Sequence, residues 1–318
     1  MKIAIICPVP HLRDFAIQSD FHLILPHLYN KFPEYLEFYK ERIKKGDFVI
    51  QDNSFFELEK SFDWRHSIEY AEDLKVSELV IPEVLNDREG CKKIRESFLN
   101  NVYYKYKSKI PLLAVAQGKN AEDLIDDILD LQNVNEISTI GIPFDLRWED
   151  LFYTQGVPSL TLRRVLNRWY VINKLVEISE IVGLKLKPVH LMGLSDGIEL
   201  SHYRDKEKFY FIRSNDSSSA YVHGSNLIWY NNKGLPSEKI SEKLDFGSDL
   251  NSVSIKLFGN TSPVSLMNQC IDYNIEILKQ FAGYLNEQDK TSSDIRFDTT
   301  SIRGWDSSKE TPNRVTEN

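Results

Sequence analysis

The sequence is poor in sulfur. Its 318 residues hold three cysteines, Cys7, Cys91 and Cys270, and three methionines. No two cysteines form a CxxC pair, so neither a disulfide framework nor a cysteine-based zinc site is expected, and the pattern suits a reducing cytoplasm. No apolar run is long enough to span a bilayer, so no membrane partner is expected. The opening Met1-Lys-Ile-Ala-Ile-Ile-Cys-Pro is too short for a signal h-region and soon meets Arg13 and Asp14. No GxGxxG follows a strand-like run and no Walker motif occurs, which speaks against a dinucleotide fold or a P-loop. Excess positive charge is also lacking. The formal net charge is −8, which excludes a protein that coats nucleic acid non-specifically but leaves room for a local basic patch. There is no internal repeat.

What is present is an alternation. Short apolar runs at Ile3–Cys7, Phe48–Ser54, Glu78–Glu83, Pro111–Gly118, Ser138–Pro143, Pro188–Gly193 and Phe209–Asp216 read as strands, with Asn226–Tyr230 as the last. Amphipathic stretches lie between them: Tyr35–Lys45, Asp63–Leu74, Arg88–Asn100, Asn120–Leu131 and Leu160–Val182. The segment Phe21–Phe38 has helix-like spacing broken by Pro26 and Pro33, and Ser265–Leu285 reads as a closing helix. Residues 286–318 are polar and read as a flexible tail. Strands alternating with helices give a parallel α/β fold. Eight candidate strands with polar residues at their C-terminal ends favour a closed (β/α)8 TIM-like barrel over residues 1–285.

A barrel gathers those strand ends around one mouth. The mouth is expected to hold Cys7, Asp52, Glu83 or Asp87, Gln117 with Gly118, Gly141, Met192 with Gly193, and Asp216. Two acids on well-separated strands suit a nucleophile and an acid/base partner. A further acid, an amide and backbone groups beside glycines suit a flat, hydrogen-bonding ring, with Phe55, Phe56 and Met192 as apolar faces. Glu83 is favoured over Asp87 for the ring's donor edge. Taken singly, Asp52 and Asp216 would also suit turns, where Asp, Asn and Ser abound. His190 is expected to pack or bond within its strand. Arg163, Arg164 and Arg168, with Lys174, lie near one side of a long helix and form either a solvated face or a phosphate track.

In order along the chain, Gln-Asp-Asn-Ser54, Ile-Pro-Glu83, Val-Ala-Gln-Gly118, His-Leu-Met-Gly193 and Ser-Asn-Asp-Ser-Ser-Ser219 resemble the guanine transglycosylases. The variant motifs look more like the DNA-modifying branch of phages and bacterial islands than the tRNA enzymes. The resemblance runs from about Ile3 to Gly224. It implies exchange of guanine in DNA for a free 7-deazaguanine base, with Asp216 as nucleophile, Asp52 as general acid and base, and neither metal nor cofactor. Two departures from the tRNA enzymes stand out. Their glycine-rich loop is reduced to Ile140-Gly-Ile-Pro-Phe, and their C-terminal zinc site of three cysteines and a histidine is missing, since only Cys270 lies there. A tRNA enzyme without zinc, an N-glycoside hydrolase and a catalytically silent nucleic-acid-binding barrel are the competing readings. Oligomeric state is left open, a homodimer included.

Overall fold

The computed structural model describes residues 1–149, 154–194, 196–240 and 243–283. Strand β1 (Lys2–Ile5) leads to β2 (Phe21–Ile24), helix α1 (Pro33–Lys44), β3 (Phe48–Gln51), α2 (Phe55–Leu58), α3 (Trp64–Leu74), β4 (Glu78–Val80), α4 (Arg88–Phe98) and the short α5 (Tyr104–Tyr106). The second half runs β5 (Leu112–Val115), α6 (Ala121–Gln132), β6 (Ile137–Pro143), α7 (Leu160–Val182), β7 (Val189–Met192), α8 (Ile198–Ser201), β8 (Ile212–Ser217), α9 (Ser219–Ser225), α10 (Leu250–Phe258) and α11 (Val264–Ala282). Every strand pair is parallel, in the order β1-β8-β7-β6-β5-β4-β3-β2. At the remaining seam the Ser19 hydroxyl donates to the Ile3 carbonyl at 2.6 Å and accepts from the Phe21 N–H at 3.1 Å. The result is the expected (β/α)8 barrel, and the described residues pack as one unit. The polar tail, residues 286–318, lies outside the described residues.

The helices start and stop where local chemistry says they should. Asp63 accepts from the N–H groups of Arg65 and His66 at the start of α3, Asn120 from Asp123 at α6, and Ser159 from Leu162 at α7. Gly183, with φ +64°, ends α7 in the left-handed conformation that glycine adopts without steric cost. Strand residues such as Ile3, Val49, Leu112, Ile140 and Leu191 have no exposed surface, as expected for strands covered by helices on the outside and by packed side chains within.

The eighth strand is not where the sequence suggested. Asn226–Tyr230 forms no strand; Tyr230 makes an isolated bridge to Pro236. The Asn274 side chain on α11 accepts from the Tyr230 N–H and donates to the Ile228 carbonyl, both at 2.9 Å, and so satisfies peptide groups that a neighbouring strand would otherwise pair. The missing strand is β2, inside the stretch read as a broken helix. It is four residues long, and His22 interrupts its apolar run. The His22 ring is buried against Asp47, 2.9 Å away.

The barrel floor fixes the facing of β8. Phe21 (β2), Glu78 (β4), Thr139 (β6) and Arg213 (β8) form one layer of side chains from alternate strands. Arg213 donates to both Glu78 oxygens at 2.8 and 2.7 Å, Thr139 donates to Glu78 at 2.6 Å, and the guanidinium lies 4.9 Å from the centre of the Phe48 ring, which stacks on Phe21. The β7–β8 register jumps from Val189↔Ile212 to His190↔Ser214, leaving Arg213 as the extra residue of a bulge. Residues three apart in a plain strand face opposite ways. The bulge lets Arg213 in the floor and Asp216 at the rim both face the barrel interior. Arg213→Met leaves Glu78 buried without its cation and is expected to cost about 3 kcal/mol in urea unfolding; an unchanged midpoint and slope would show that the pair does not hold the floor.

Candidate active site

Asp216 sits near the C-terminal end of β8. Its Oδ1 accepts a hydrogen bond from the Gly193 N–H at 2.8 Å and lies 3.1 Å from His190 Nε2. No hydrogen bond from the described residues reaches Oδ2. Gly193 has φ +72°, a conformation open to glycine and strained for most residues. The loop is held from behind by Arg168, which pairs with Glu199 through two hydrogen bonds of 2.6 and 2.8 Å, donates to the carbonyls of Met192 (3.2 Å) and Gly193 (2.9 Å), and lies 5.2 Å from the centre of the Phe144 ring.

Asp52 follows β3. Its N–H donates to the Ile24 carbonyl at 2.8 Å, and its Oδ2 accepts from the Ser54 N–H at 2.9 Å. Burial pushes this carboxyl well above its ordinary range. The charges of Glu57 and Glu83 add to the shift, the Ser54 N–H opposes it, and Asp216 adds a little more. Glu83 is raised by burial and lowered in part by its donors, Asn53 Nδ2 at 3.1 Å and Gln117 Nε2 at 2.6 Å. Glu57 is likewise raised by burial, opposed by its own backbone N–H, with Asp216 raising it and Lys243 lowering it. The mouth therefore gathers four carboxyl groups, three of them pushed toward the neutral form.

The other expected site residues divide. Glu83 lies inside the network. Asp87 does not: it is exposed and caps α4 by accepting from the Gly90 N–H at 2.9 Å. Gln117 is present, but its amide is engaged with protein; besides holding Glu83 it accepts from the Asn86 N–H at 3.0 Å. Gly118 is a packing residue, since a Cβ there would lie 2.3 Å from the Leu124 backbone nitrogen. Gly141 is in the barrel wall, where a Cβ would come within 3.0–3.2 Å of Val115, Leu113 and Met192. Met192 is half-buried at the end of β7, and the Gly193 N–H already serves Asp216. Phe56 is 70% exposed at the rim, with the Lys243 ammonium 5.2 Å from its ring centre. Cys7 is buried, and burial pushes its thiol up to about 12, so it offers no nucleophile.

The phosphate track is corrected. Arg168 is fully buried in its pair with Glu199 and cannot meet a polymer. Arg163 is mostly buried, paired with Glu149 and bonded to the Val157 carbonyl; Arg164 pairs with Asp145. Spacing on α7 placed these arginines together but could not show that each had an acceptor on another element. Conversely, Glu57, Asn53 and Lys243 belong to the mouth and were not singled out. Asn53 had a visible signal, its place beside Asp52. Lys243 lies in an irregular loop and had none.

Among the described residues no group of three or more His, Cys, Asp or Glu side chains is arranged to hold a metal ion, and no helix is long and apolar enough to cross a membrane. No protein-family model matches the chain, and neither does a curated protein. The fold and its rim define a class, a (β/α)8 barrel with an acidic C-terminal mouth in which one carboxyl group is hydrogen-bonded at a single oxygen and others are desolvated.

Two outcomes follow from this geometry. Asp52 has a raised pKa in the fold, so its contribution to stability is complete below its unfolded value and is lost as pH rises through the folded value. Asp52→Asn is therefore expected to raise Tm in alkaline buffer, by ~2–4 °C for each kcal/mol of relieved desolvation, with the gain shrinking to nothing on acidification. A gain independent of pH would contradict the desolvated acid. Gly118→Ala is expected to lose ~1–3 kcal/mol in denaturant unfolding through overpacking against α6; full stability with weakened base binding would return Gly118 to the site.

Proposed function

We propose that the chain is a DNA-guanine transglycosylase, exchanging guanine in DNA for a 7-deazaguanine base by two displacements. One observation carries this reading: Asp52 and Asp216 share one mouth in opposed environments. Asp216 Oδ1 is held by the Gly193 N–H and lies beside His190 Nε2, whereas burial raises Asp52 toward its neutral form. Such a pair suits a nucleophile and a proton donor.

In the first displacement Asp216 Oδ2 bonds to the sugar C1′ as the bond from C1′ to guanine N9 breaks. The bonding pair leaves with guanine, which takes a proton from Asp52. In the second, Asp52 removes the N9 proton of the incoming deazaguanine, whose nitrogen attacks C1′ and expels Asp216. Two inversions restore the original anomer. Glu83, oriented by Asn53 and Gln117, accepts from the donors on the base's Watson–Crick edge. Phe56 and Lys243 at the rim supply an aromatic face and a cation for the flanking nucleotide. A base stacked in a duplex cannot enter the mouth, so the guanine is flipped or single-stranded. DNA is favoured over tRNA by the resemblance of the motifs and by the lack of the zinc-site cysteines.

Incorporation of radiolabelled guanine separates the readings. Label is expected to enter guanine-containing DNA and not tRNA, and Asp216→Asn is expected to lower the rate by several orders of magnitude with little loss of stability. Label entering tRNA alone would assign the tRNA substrate. Release of guanine with no incorporation would assign hydrolysis.

A further inference from the structure

We propose that His190 is a positioning residue for Asp216, locked as the Nε2–H tautomer by a directional chain that starts at Arg213. The inference rests on the proposed role of Asp216 as nucleophile. The His190 ring is fully buried, and both of its nitrogens have partners: Nδ1 lies 2.8 Å from Ser214 Oγ and Nε2 lies 3.1 Å from Asp216 Oδ1. The tautomer follows from the partners on both sides of the ring. Arg213 cannot accept, and its Nε–H donates to Ser214 Oγ at 3.3 Å, which favours turning the hydroxyl hydrogen away from the guanidinium and toward Nδ1. Nδ1 is then the bare nitrogen, and Nε2 carries the hydrogen that the nucleophilic carboxylate of Asp216 accepts. Arg213 is itself fixed by two hydrogen bonds to Glu78 and one to Thr139. The chain runs from the barrel floor to the rim through Arg213, Ser214, His190 and Asp216.

Its effect is on one oxygen. The His190 and Gly193 donors both meet Oδ1 and fix the carboxylate plane, which presents Oδ2 to the mouth. A carboxylate held at one oxygen cannot rotate to offer the oxygen already engaged, so the reacting atom is defined before substrate arrives. The bulge at Arg213 is what allows Arg213 and Ser214, adjacent in sequence, both to bond inside the barrel.

The test has two arms. The first needs no substrate. Nitrogen-15 NMR of histidine-labelled protein, with the His190 signals assigned by their loss in His190→Gln, is expected to show the Nε2–H tautomer, and Ser214→Ala is expected to let the other tautomer appear. A His190 signal of the Nδ1–H tautomer in the unsubstituted protein overturns the proposal, whatever reaction the protein catalyses. The second arm is single-turnover formation of the enzyme–DNA adduct. His190→Phe keeps a ring and removes the donor; it is expected to slow adduct formation ~10- to 100-fold, the size of a lost hydrogen bond to a charged group, with DNA affinity unchanged. His190→Gln, which can place an N–H near the former Nε2, is expected to recover most of the rate. Equal rates for the unsubstituted protein and His190→Phe overturn the positioning role. An absence of adduct in the unsubstituted protein counts against Asp216 as nucleophile, and the first arm alone then decides the tautomer chain.

Discussion

One extra residue in β8 sets the geometry on which the rest of the mouth depends. The bulge at Arg213 shifts the pleat by one step, so a cation in the barrel floor and a carboxylate near the rim project from the same strand into the same interior. Without it, Asp216 would face the surrounding helices whenever Arg213 faced Glu78. The floor and the mouth are therefore coupled by register. The layer of Phe21, Glu78, Thr139 and Arg213 fixes the strand, and the strand fixes the acid.

Above the floor, solvent exclusion acts differently on acids a few strands apart. Asp216 keeps hydrogen-bonding partners at Oδ1, whereas Asp52, Glu57 and Glu83 lose water and gain too few donors in return. Asn53 and Gln117 spend their amides on ordering the loops after β3, β4 and β5 around Glu83. Arg168, buried with Glu199, does the same for the end of β7. Polar side chains that looked available for ligand are in large part the scaffold that orients the few that remain.

The alternation of strands and helices was legible because its signals are local: apolar runs, N-capping residues and terminal glycines. The bounds of α7 match those read from its periodicity, with Gly183 closing it. β2 was missed because four residues carrying a buried histidine do not form a continuous apolar run, and Asn226–Tyr230 was over-read because a side-chain amide on α11 does a strand's hydrogen bonding. Asp52, Glu83 and Asp216 were placed near one another because strand ends converge in a barrel. The arginines on α7 were misassigned because their acceptors come from separate parts of the chain, and the His190 contact depends on a bulge that periodicity averages away.

The proposed exchange turns on attack of Asp216 at a sugar carbon. The most direct measurement is intact mass of the denatured protein after incubation with guanine-containing DNA and a 7-deazaguanine, followed by peptide mapping of any adduct. A mass increase of one DNA strand, mapped to Asp216 and absent from Asp216→Asn, is the result predicted. An adduct that persists in Asp216→Asn, or one that maps to Asp52, would contradict it.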